Sequence, residues 1–350
     1  MKYPKLFIIG PTKTKKFFSG GVTQLVTEEC RELNKFGIKF ELLNLETFYG
    51  NFNLTSRFKF FLKVSKKILK EKPKIALIHG PFYLLITYPF LKLVNTKIIA
   101  QMHGIPQPKI EPTLKLKLIA YLQMFIWHLL IRRCDCIITI SNANKKEAIR
   151  LFGRANYKVI YNGIRIKKIK FFKRKNRRVK LLFLARIHPY KGIYEVIDAA
   201  RDIDADFIIA GGGPILEEIK EKTKEMKNIK VLGEVSDKKK NYLLKQANIF
   251  IMPSHHEWFG ISFLEAMQYY LPIISTKSGA IPEIIENNKS GILVPIGSVT
   301  SLKKAIFKLI KNEKLREKMG KIGRKILEDK FDIRITTGKL VELLEQFNEL

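Results

Sequence analysis

Short apolar runs rich in β-branched residues alternate with helical patterns along the whole chain, and this alternation most constrains the fold. Stretches of roughly ten to twenty residues with helical character separate the runs. Such alternation predicts βαβ units, in which parallel strands form a sheet with helices on both faces. In the first half, the runs are Leu6–Gly10, Ile75–His79, Lys97–Met102, Cys136–Ser141 and Lys158–Tyr161.

A basic stretch interrupts the alternation after Gly163 and divides the chain into two halves. Nine lysines and arginines fall between Arg165 and Arg178 with little periodicity, which is typical of an exposed linker. The tail from Ser298 onward is helical in pattern. Between these segments the alternation resumes, with strands predicted at Lys180–Ala185, Phe207–Gly211, Lys230–Gly233, Ile249–Pro253 and Pro272–Thr276.

The sequence thus predicts an α/β protein with two Rossmann-like, doubly wound domains. In open parallel sheets, ligands bind beyond the carboxyl ends of the strands. We therefore expect the domains to face a central cleft, which suits a reaction between two substrates. The predicted divisions are an N-terminal domain over residues 1–165, a basic linker over 166–178, a second domain over 179–330 and a C-terminal helix over 331–350.

The charge balance is strongly basic, with 65 lysines and arginines against 32 acidic residues and a formal net charge of +33. A field of that sign favours polyanions, anionic lipid headgroups or phosphorylated substrates. A lysine-rich proteome or thermal adaptation would give the same excess. Charge alone therefore names no partner. No module signature for nucleic-acid binding accompanies it, and we expect no nucleic-acid partner.

Cysteine content and hydropathy predict a cytoplasmic location. Cys30, Cys134 and Cys136 are too few and too odd in number for a disulfide framework, and they are expected to be packed thiols. The N-terminus has the pattern of a strand rather than a secretory signal. The most hydrophobic stretch, Leu118–Ile131, is shorter than the ~20 residues that a membrane span needs.

The segment Ser254–Met267 contains the most informative pattern. It follows an apolar strand and has the composition of a helix start, where Gly260 frees the backbone. Glu257 and Glu265 lie eight positions apart, which is a little over two helical turns, so they serve different parts of a ligand. Free amides near Gly260, together with the helix dipole, suit a phosphate group.

This Glu-x7-Glu segment resembles the signature of the retaining GT-B glycosyltransferases of family 4, the group 1 transferases, which include sucrose and glycogen synthases and many lipopolysaccharide transferases. Ala185–Gly192 resembles the family's Arg-x4-Lys-Gly motif, and Ala210–Pro214 resembles its glycine loop. Ser278–Glu283 resembles its Gly-Gly-x-Pro-Glu turn, followed by a strand like Gly291–Pro295. The resemblance implies the GT-B fold, with two Rossmann-like domains facing a central cleft. Residues 1–165 would form the acceptor-side domain and residues 179–330 the nucleotide-sugar donor-binding domain, and the C-terminal helix over 331–350 would cross back to the N-terminal domain.

The resemblance also implies a role for each matching residue. Arg186 and Lys191 would clamp the donor diphosphate. Glu257 would lie beside the donor sugar, and Glu265 would accept hydrogen bonds from the ribose hydroxyls. The catalytic set is predicted as His103, Glu257, Arg186 and Lys191. The donor-binding set is predicted as Gly20, Gly21, Arg186, Lys191, Gly212, Phe259, Gly260, Ile261, Glu265 and Glu283.

Two strand ends in the first half carry histidines. His103 follows the strand Lys97–Met102, where the family has a histidine that contacts the donor sugar or orients the acceptor. His79 ends the strand Ile75–His79 and is a second candidate for the site. A histidine at a strand end also commonly has a structural role, and this alternative stays open for both.

Trp258 and Arg165 depart from the family pattern. Trp258 stands where the family commonly has glycine, so its indole is expected to narrow the sugar pocket or stack on the acceptor. Arg165 replaces an aspartate, with an expected effect on the hinge. His255 and His256 are interpreted as pocket wall, since further metal ligands at suitable spacing are missing.

Two further patterns carry open interpretations. Asp202, Asp204 and Asp206 spell a metal-binding motif, but their place before a strand favours turn and capping chemistry. Arg57–Lys72 predicts an amphipathic helix with Phe58, Phe61, Leu62, Ser65, Ile68 and Leu69 on one face and lysines on the other. That helix faces either the core or an anionic membrane.

We therefore predict a retaining hexosyltransferase that needs neither metal nor cofactor. It would move a sugar from a UDP- or GDP-linked donor to a hydroxyl of a glycan or lipid-linked acceptor, as in cell-envelope polysaccharide synthesis, with possible peripheral contact at the inner face of the cell membrane. Three alternatives remain: a nucleotide-sugar epimerase of the same fold, a nucleic-acid-binding protein, and an NAD-dependent oxidoreductase. Gly211–Gly213 lacks the spacing of a dinucleotide fingerprint.

Overall fold

The computed structural model describes residues 5–11, 20–44, 54–111, 113–174 and 177–347, with the backbone alone described for residues 20 and 54–58. The chain forms two compact units. Unit 1 contains Met1–Arg165 and Asp332–Leu350, and unit 2 contains Ile166–Phe331. Each unit is built around one six-stranded sheet whose strands are all parallel.

The sheet of unit 1 has the strand order β2-β1-β3-β4-β5-β6. Its strands are β1 (Leu6–Ile9), β2 (Phe40–Leu43), β3 (Ile75–His79), β4 (Lys97–Met102), β5 (Cys136–Thr139) and β6 (Tyr157–Val159). Its helices are α1 (Gly20–Lys35), α2 (Leu54–Glu71), α3 (Pro81–Leu93), α4 (Leu114–Leu130), α5 (Asn142–Phe152) and, at the end of the chain, α13 (Ile333–Gln346).

The predicted strands of this half all occur, and β2 is an additional edge strand. Strands β1 and β3 are buried along their whole length, as expected for a parallel sheet covered on both faces. Three of the four residues of β2 are only half-buried, so its apolar signal is weak. Helix α13 contributes Leu340 and Leu344 to the same core as Leu33 of α1, so the end of the chain completes unit 1.

The sheet of unit 2 has the order β12-β11-β10-β7-β8-β9. Its strands are β7 (Lys180–Leu184), β8 (Asp206–Ala210), β9 (Ile229–Val231), β10 (Ile249–Ile251), β11 (Ile273–Thr276) and β12 (Gly291–Val294). Its helices are α6 (Ile193–Ala200), α7 (Leu216–Lys222), α8 (Asp237–Gln246), α9 (Ile261–Gln268), α10 (Ile281–Ile284), α11 (Val299–Lys311) and α12 (Glu313–Lys330).

Each sheet has a topological switch point, where successive strands are added on opposite sides of the first strand. In unit 1 this point lies between β1 and β3, and in unit 2 it lies between β7 and β10. Loops that leave the carboxyl ends of strands at such a point diverge and leave room for a ligand. The carboxyl ends of the strands at these two switch points are therefore candidate binding sites.

The basic stretch after Gly163 packs on unit 2 instead of standing away from it. Lys167 accepts a hydrogen bond at its carbonyl from Arg324, and its amide donates to the Gln268 side chain at 2.7 Å. Arg174 donates to the carbonyl oxygens of Lys245 and Tyr269. Burial lowers the pKa of Arg174 to about 10.

Two helices of unit 1 resolve expectations from the sequence. Helix α2 turns Val64, Ser65 and Ile68 into the interior, while Leu62 and Leu69 are exposed. Helix α4 continues through a 3-10 turn, so that Leu114–Arg133 reaches 20 residues and is long and apolar enough to cross a membrane by length and composition. The expectation that this stretch is too short was wrong, because the helix begins four residues before Leu118.

The three cysteines are free and buried, as predicted. Burial raises the pKa of the Cys134 thiol to about 12 and that of Cys136 to about 11. The three aspartates near the start of β8 pair with basic side chains: Asp202 with Lys303, and Asp204 and Asp206 with Arg178. These pairs support the turn interpretation of that motif.

Candidate active site

The switch point of unit 2 brings together the loops that carry most of the predicted donor-site residues. The loop after β7 carries Arg186 and Lys191, and the loop after β10 carries Glu257. Since β7 and β10 are neighbours in the sheet, their carboxyl ends lie side by side. The amide of His255 donates to the Tyr190 carbonyl at 2.8 Å and ties the two loops together.

Lys191 and Glu257 form a close ion pair in this site. The distance between Lys191 Nζ and Glu257 Oε2 is 2.5 Å, and the two side chains are only 14% and 11% exposed. A pair so shielded from water interacts more strongly than a surface pair. Lys191 therefore holds the carboxylate of Glu257 in one orientation at the end of the sheet.

The turn after β11 supports Glu257 from its other side. The amide of Ala280 donates to the Glu257 carbonyl at 3.0 Å, and Ser278 Oγ donates to the His255 carbonyl at 2.7 Å. Gly279 has a φ of 51°, and a Cβ there would lie 2.0 Å from the Glu257 carbonyl oxygen. Only glycine fits this close approach, which explains the glycine in the predicted turn motif.

Helix α9 begins directly at the site. Gly260 caps it with a φ of 91°, in the left-handed region, and Ile261 is its first residue. The side chain of Phe259 is buried and packs edge-to-face on Phe331, with ring centroids 5.7 Å apart. Any ligand contact of Phe259 would therefore involve its backbone. The amides at this helix start carry the positive end of the helix dipole.

The charge at this end of the sheet is positive. Arg186 is exposed, and within the described ranges no ion pair involves its guanidinium. His188, two residues further, is 3% exposed. Burial, with the positive charges of Arg186 and Lys191, lowers the pKa of His188 to about 4. The histidine is therefore neutral at pH 7, and the positive charges of Arg186 and Lys191, which add to the effect of burial, would attract a phosphate.

Glu265 lies on α9, beyond the helix start, and has its own cation. Lys240 of α8 approaches it with Nζ 2.5 Å from Glu265 Oε1, and Asp237 lies 3.3 Å from the same lysine. Burial lowers the pKa of Lys240, but the two carboxylates more than offset this and raise it. Glu257 and Glu265 thus have separate lysine partners, in keeping with their predicted separate roles.

The remaining donor-site candidates of unit 2 surround these groups. Gly212 follows β8, and its carbonyl accepts from the Ile187 amide at 2.9 Å in the β7 loop. Glu283 is half-buried on the short helix α10. Trp258 contacts His256 edge-to-face with ring centroids 4.3 Å apart, and His255 pairs with Glu195. The two histidines thus contact protein side chains, which fits the interpretation as pocket wall.

The switch point of unit 1 carries the two predicted histidines. His79 ends β3 and His103 follows β4, and because these strands are paired the two rings stack, with His79 Nδ1 3.0 Å from His103 Nε2. Glu29 of α1 lies 3.9 Å from the outer nitrogen of His79. Gly10, at the end of β1, gives His79 its space, since a Cβ there would lie 2.7 Å from the His79 Cβ.

Burial keeps this cluster uncharged. It raises the pKa of Glu29 to about 8 and lowers that of His103 to about 4, and the pKa of His79 lies well below its usual value. His103 Nδ1 has no hydrogen-bond partner in the described part of the chain. A neutral imidazole with one free nitrogen can donate or accept one further hydrogen bond. Gly20 and Gly21 begin α1 in the same unit, and Gly21 is exposed.

Glu29 predicts a specific pH dependence of stability. Its pKa of about 8 in the folded protein exceeds the 4.5 of an exposed glutamate. The stability that protonated Glu29 contributes to the fold is therefore complete below pH 4.5 and is lost as the pH rises through 8. We expect the free energy of unfolding of Glu29→Gln, relative to that of the wild type, to increase by on the order of a few kcal/mol between pH 5 and pH 8. Urea unfolding at both pH values measures this, with the exposed Glu225→Gln as control. An equal difference at the two pH values would contradict it.

Two family models match the chain in tandem. "Glycosyltransferase Family 4" matches residues 19–168, and "Glycosyl transferases group 1" matches residues 164–326. Together they extend over residues 19–326, which is most of the chain. The chain belongs to this family of glycosyltransferases. The family that the Glu-x7-Glu segment and its companion motifs resemble is thereby confirmed.

Curated relatives of this glycosyltransferase come from archaea and bacteria. An uncharacterized glycosyltransferase of Methanocaldococcus jannaschii is 26% identical over 73% of this chain and 70% of its own length. The capsular polysaccharide biosynthesis glycosyltransferase CapM of Staphylococcus aureus is 29% identical over 60% of this chain and 58% of its own length. The O-antigen chain mannosyltransferase C of Escherichia coli is 30% identical, over 43% of this chain and 42% of its own length.

Solved structures confirm the GT-B fold of the glycosyltransferase. Sucrose-phosphate synthase from Thermosynechococcus elongatus superposes with a TM-score of 0.82 at 15% identity, covering 98% of both chains. The Anabaena protein HepE, in complex with UDP and glucose, superposes with a TM-score of 0.77 at 17% identity, covering 98% of this chain and 100% of its own. At these identities the likeness concerns the fold alone.

Sequence reasoning missed three residues that the structure places in these sites. Lys240 is one of four consecutive charged residues from Asp237, and nothing in that run distinguishes it. His188 lies inside the Arg-x4-Lys motif, but the motif itself assigns it no role. Glu29 had a signal that could have been used, since it lies three residues after Val26 and four before Leu33, on the apolar face of α1.

Proposed function

We propose that this glycosyltransferase retains the anomeric configuration and transfers a hexose from a UDP- or GDP-linked donor to a hydroxyl of a glycan or lipid-linked acceptor. The observation that supports this most is the arrangement at the unit 2 switch point. There, Arg186, Lys191 and the start of α9 supply positive charge beside the carboxylate of Glu257. A diphosphate leaving group and a sugar hydroxyl together need such a combination.

In the proposed reaction, the acceptor oxygen forms a bond to the anomeric carbon from the side that the leaving group occupies. The bond from that carbon to the phosphate oxygen breaks, and the departing phosphate takes the proton of the acceptor hydroxyl. The products are the glycoside and a nucleoside diphosphate. Arg186, Lys191 and the amides of α9 stabilise the growing negative charge on the phosphate. Glu257 binds donor sugar hydroxyls, Glu265 the ribose, and His103 orients a sugar hydroxyl.

We propose that no metal or cofactor is needed. The positive charge that a divalent cation supplies to a diphosphate in other enzymes would come from Arg186 and Lys191. The half-buried Glu283, the glycine loop at Gly212 and the backbone of Phe259 and Ile261 would complete the donor pocket. Gly20 and Gly21 would contribute amides near the donor phosphates. A cytoplasmic location fits the three free thiols.

The comparisons support the substrate class through the names and ligands of similar proteins. CapM is named for capsular polysaccharide biosynthesis, and the E. coli relative is named as a mannosyltransferase of the O-antigen chain. The HepE structure holds UDP and glucose. We extend these to the present chain as a proposal that it takes part in cell-envelope polysaccharide synthesis.

Release of nucleoside diphosphate from a panel of UDP- and GDP-sugars, with and without EDTA, tests the proposal. We expect one donor to be consumed in an acceptor-dependent reaction, at a rate that EDTA leaves unchanged, with an α-linked donor giving an α-linked product by NMR. Activity lost in EDTA would overturn the metal independence. Inverted product would overturn retention. A donor returned as its epimer with no transfer would favour the epimerase alternative.

A further inference from the structure

Helix α4 exposes a continuous apolar stripe to solvent. Leu118 is 60% exposed and Phe125 is 63% exposed, although both are large hydrophobic side chains. At about 100° per residue, six of the seven exposed large apolar residues of this helix fall within one face roughly 100° wide, and Ile119 lies outside it. The stripe consists of Leu114, Leu118, Tyr121, Leu122, Phe125 and Leu129.

The opposite face of the same helix is anchored in the protein. Ala120, Ile126, Trp127 and Leu130 are buried on that side. The exposed stripe is therefore not a helix waiting to turn inward, because a rotation would bring out Trp127 and its neighbours. Helix α4 is thus apolar on both faces, and its anchored inner face fixes the outer face towards solvent. An exposed apolar surface of this kind marks an interaction site.

Helix α3, which packs against α4, adds to this apolar surface. It exposes Phe82, Leu85 and Leu93, the last of which is 76% exposed. More than half of the exposed large hydrophobic side chains in the described ranges lie on these two helices. We call the stripe of α4 and these three residues the α3–α4 face.

All charged side chains of α3 and α4 are basic, and Lys92 of α3 pairs with Asp135, which lies just before β5. Neither Pro81–Leu93 nor Leu114–Arg133 contains an aspartate or glutamate. Lys115 and Lys117 lie on either side of the stripe at its start, and Arg132 and Arg133 follow its end. An apolar face bordered by lysine and arginine is complementary to a bilayer with anionic headgroups, whose surface potential attracts cations and whose interior accepts apolar side chains.

An apolar face of this kind could instead bind a second copy of the chain. Two copies meeting through this face would bring Lys115, Lys117 and their equivalents together, and neither helix carries an acidic residue to pair with them. The chain also carries a formal net charge of +33, which adds to the repulsion. These charges favour the lipid surface over self-association.

Insertion of α4 across the bilayer does not fit the fold, although its length would suffice. The chain enters α4 after β4 and leaves it into β5, and these two strands pair in parallel register from Ile99 with Cys136. A helix that spanned the membrane would separate these two strands on opposite sides. Any contact of this helix with lipid would therefore run along its outer face.

We propose that the α3–α4 face of unit 1 binds peripherally to anionic membrane surfaces. This site differs from the one that the sequence suggests, since the lysine-rich helix Arg57–Lys72 turns Val64 and Ile68 into the core. The proposal does not depend on the identity of the donor or acceptor. It goes beyond the transfer reaction by assigning a surface that the donor site does not use.

Flotation of the full chain with vesicles tests the proposal. The vesicles are phosphatidylcholine with and without phosphatidylglycerol, at low and high salt. We expect flotation with the anionic vesicles at low salt, weaker binding at high salt, and a loss of at least about tenfold for Leu118→Glu/Phe125→Glu. The matched control is Phe307→Glu, an exposed phenylalanine on α11 of unit 2, which should bind as the wild type does.

Further measurements on the same variants monitor the fold and test the alternative of self-association. Thermal unfolding and nucleotide binding should be unchanged in the double variant, because both substituted side chains point outward. No flotation of the wild type with anionic vesicles at low salt would overturn the proposal, as would equal flotation of the double variant and the control. A concentration-dependent dimer in sedimentation velocity that Leu118→Glu/Phe125→Glu abolishes would assign the face to a second copy instead.

Discussion

Lys191→Met is expected to lower kcat by about 10²–10³-fold, which is the typical loss when one stabilising donor is removed from a charge-developing transition state. Lys191 is the half-buried partner of Glu257 and stands beside the start of α9, where the leaving phosphate is proposed to lie. Steady-state kinetics with the donor identified in the panel measures the effect. A kcat within about twofold of the wild type would remove Lys191 from the proposed catalytic set.

The stability of this variant needs its own control, because Lys191→Met leaves the carboxylate of Glu257 shielded and without its cation. We expect a lower melting temperature for that reason. The double variant Lys191→Met/Glu257→Gln carries no unpaired charge and should regain stability but not activity. Lys220→Met is the matched control, because Lys220 lies 2.8 Å from Glu217 in an exposed ion pair. It should change neither property.

Glu265→Gln is expected to weaken binding of the preferred nucleoside diphosphate by roughly 10–100-fold, the loss of a hydrogen bond to a charged group. The fold should tolerate the change, because Lys240 keeps Asp237 at 3.3 Å as a second partner. Titration calorimetry with UDP, GDP and ADP gives the affinities. This pair of properties, weaker binding with an unchanged fold, distinguishes a ribose contact from a structural ion pair.

The control for Glu265 is a glutamate paired with a lysine outside the site. Glu286 lies 3.2 Å from Lys289, and both are substantially exposed. Glu286→Gln should leave nucleotide affinity unchanged. If Glu265→Gln binds every nucleoside diphosphate as the wild type does, the ribose assignment is wrong and the Lys240–Glu265 pair only joins α8 to α9.

The architecture could be predicted from sequence because parallel strands buried on both faces leave continuous apolar runs. Ile75–His79 and Lys97–Met102 are such runs, and their predicted bounds agree with the structure. Strand β2 was not among the predicted strands, since an edge strand with half-buried residues has no such run. The length of α4 was also underestimated, because Lys115 and Lys117 interrupt its apolar pattern before Leu118.

Those residues of the candidate site that belong to one short sequence motif could be predicted. Those that come together only through tertiary contacts could not. Gly260, Glu257 and Lys191 belong to compact motifs, and the structure places them on adjoining loops of one sheet edge. The partnership of Glu265 with Lys240 joins two helices and leaves no local pattern. The buried cluster of Glu29, His79 and His103 likewise unites three elements distant in sequence.

The return of the chain's end to unit 1 has a consequence for biosynthesis. Ile166–Phe331 is one uninterrupted stretch, so unit 2 can close as soon as that stretch has left the ribosome. The core around Leu33 also requires Leu340 and Leu344 from α13, which are made after the whole of unit 2. The half of the protein that is begun first is therefore finished last, and until then the apolar surface that α13 covers in unit 1 has no cover from that helix.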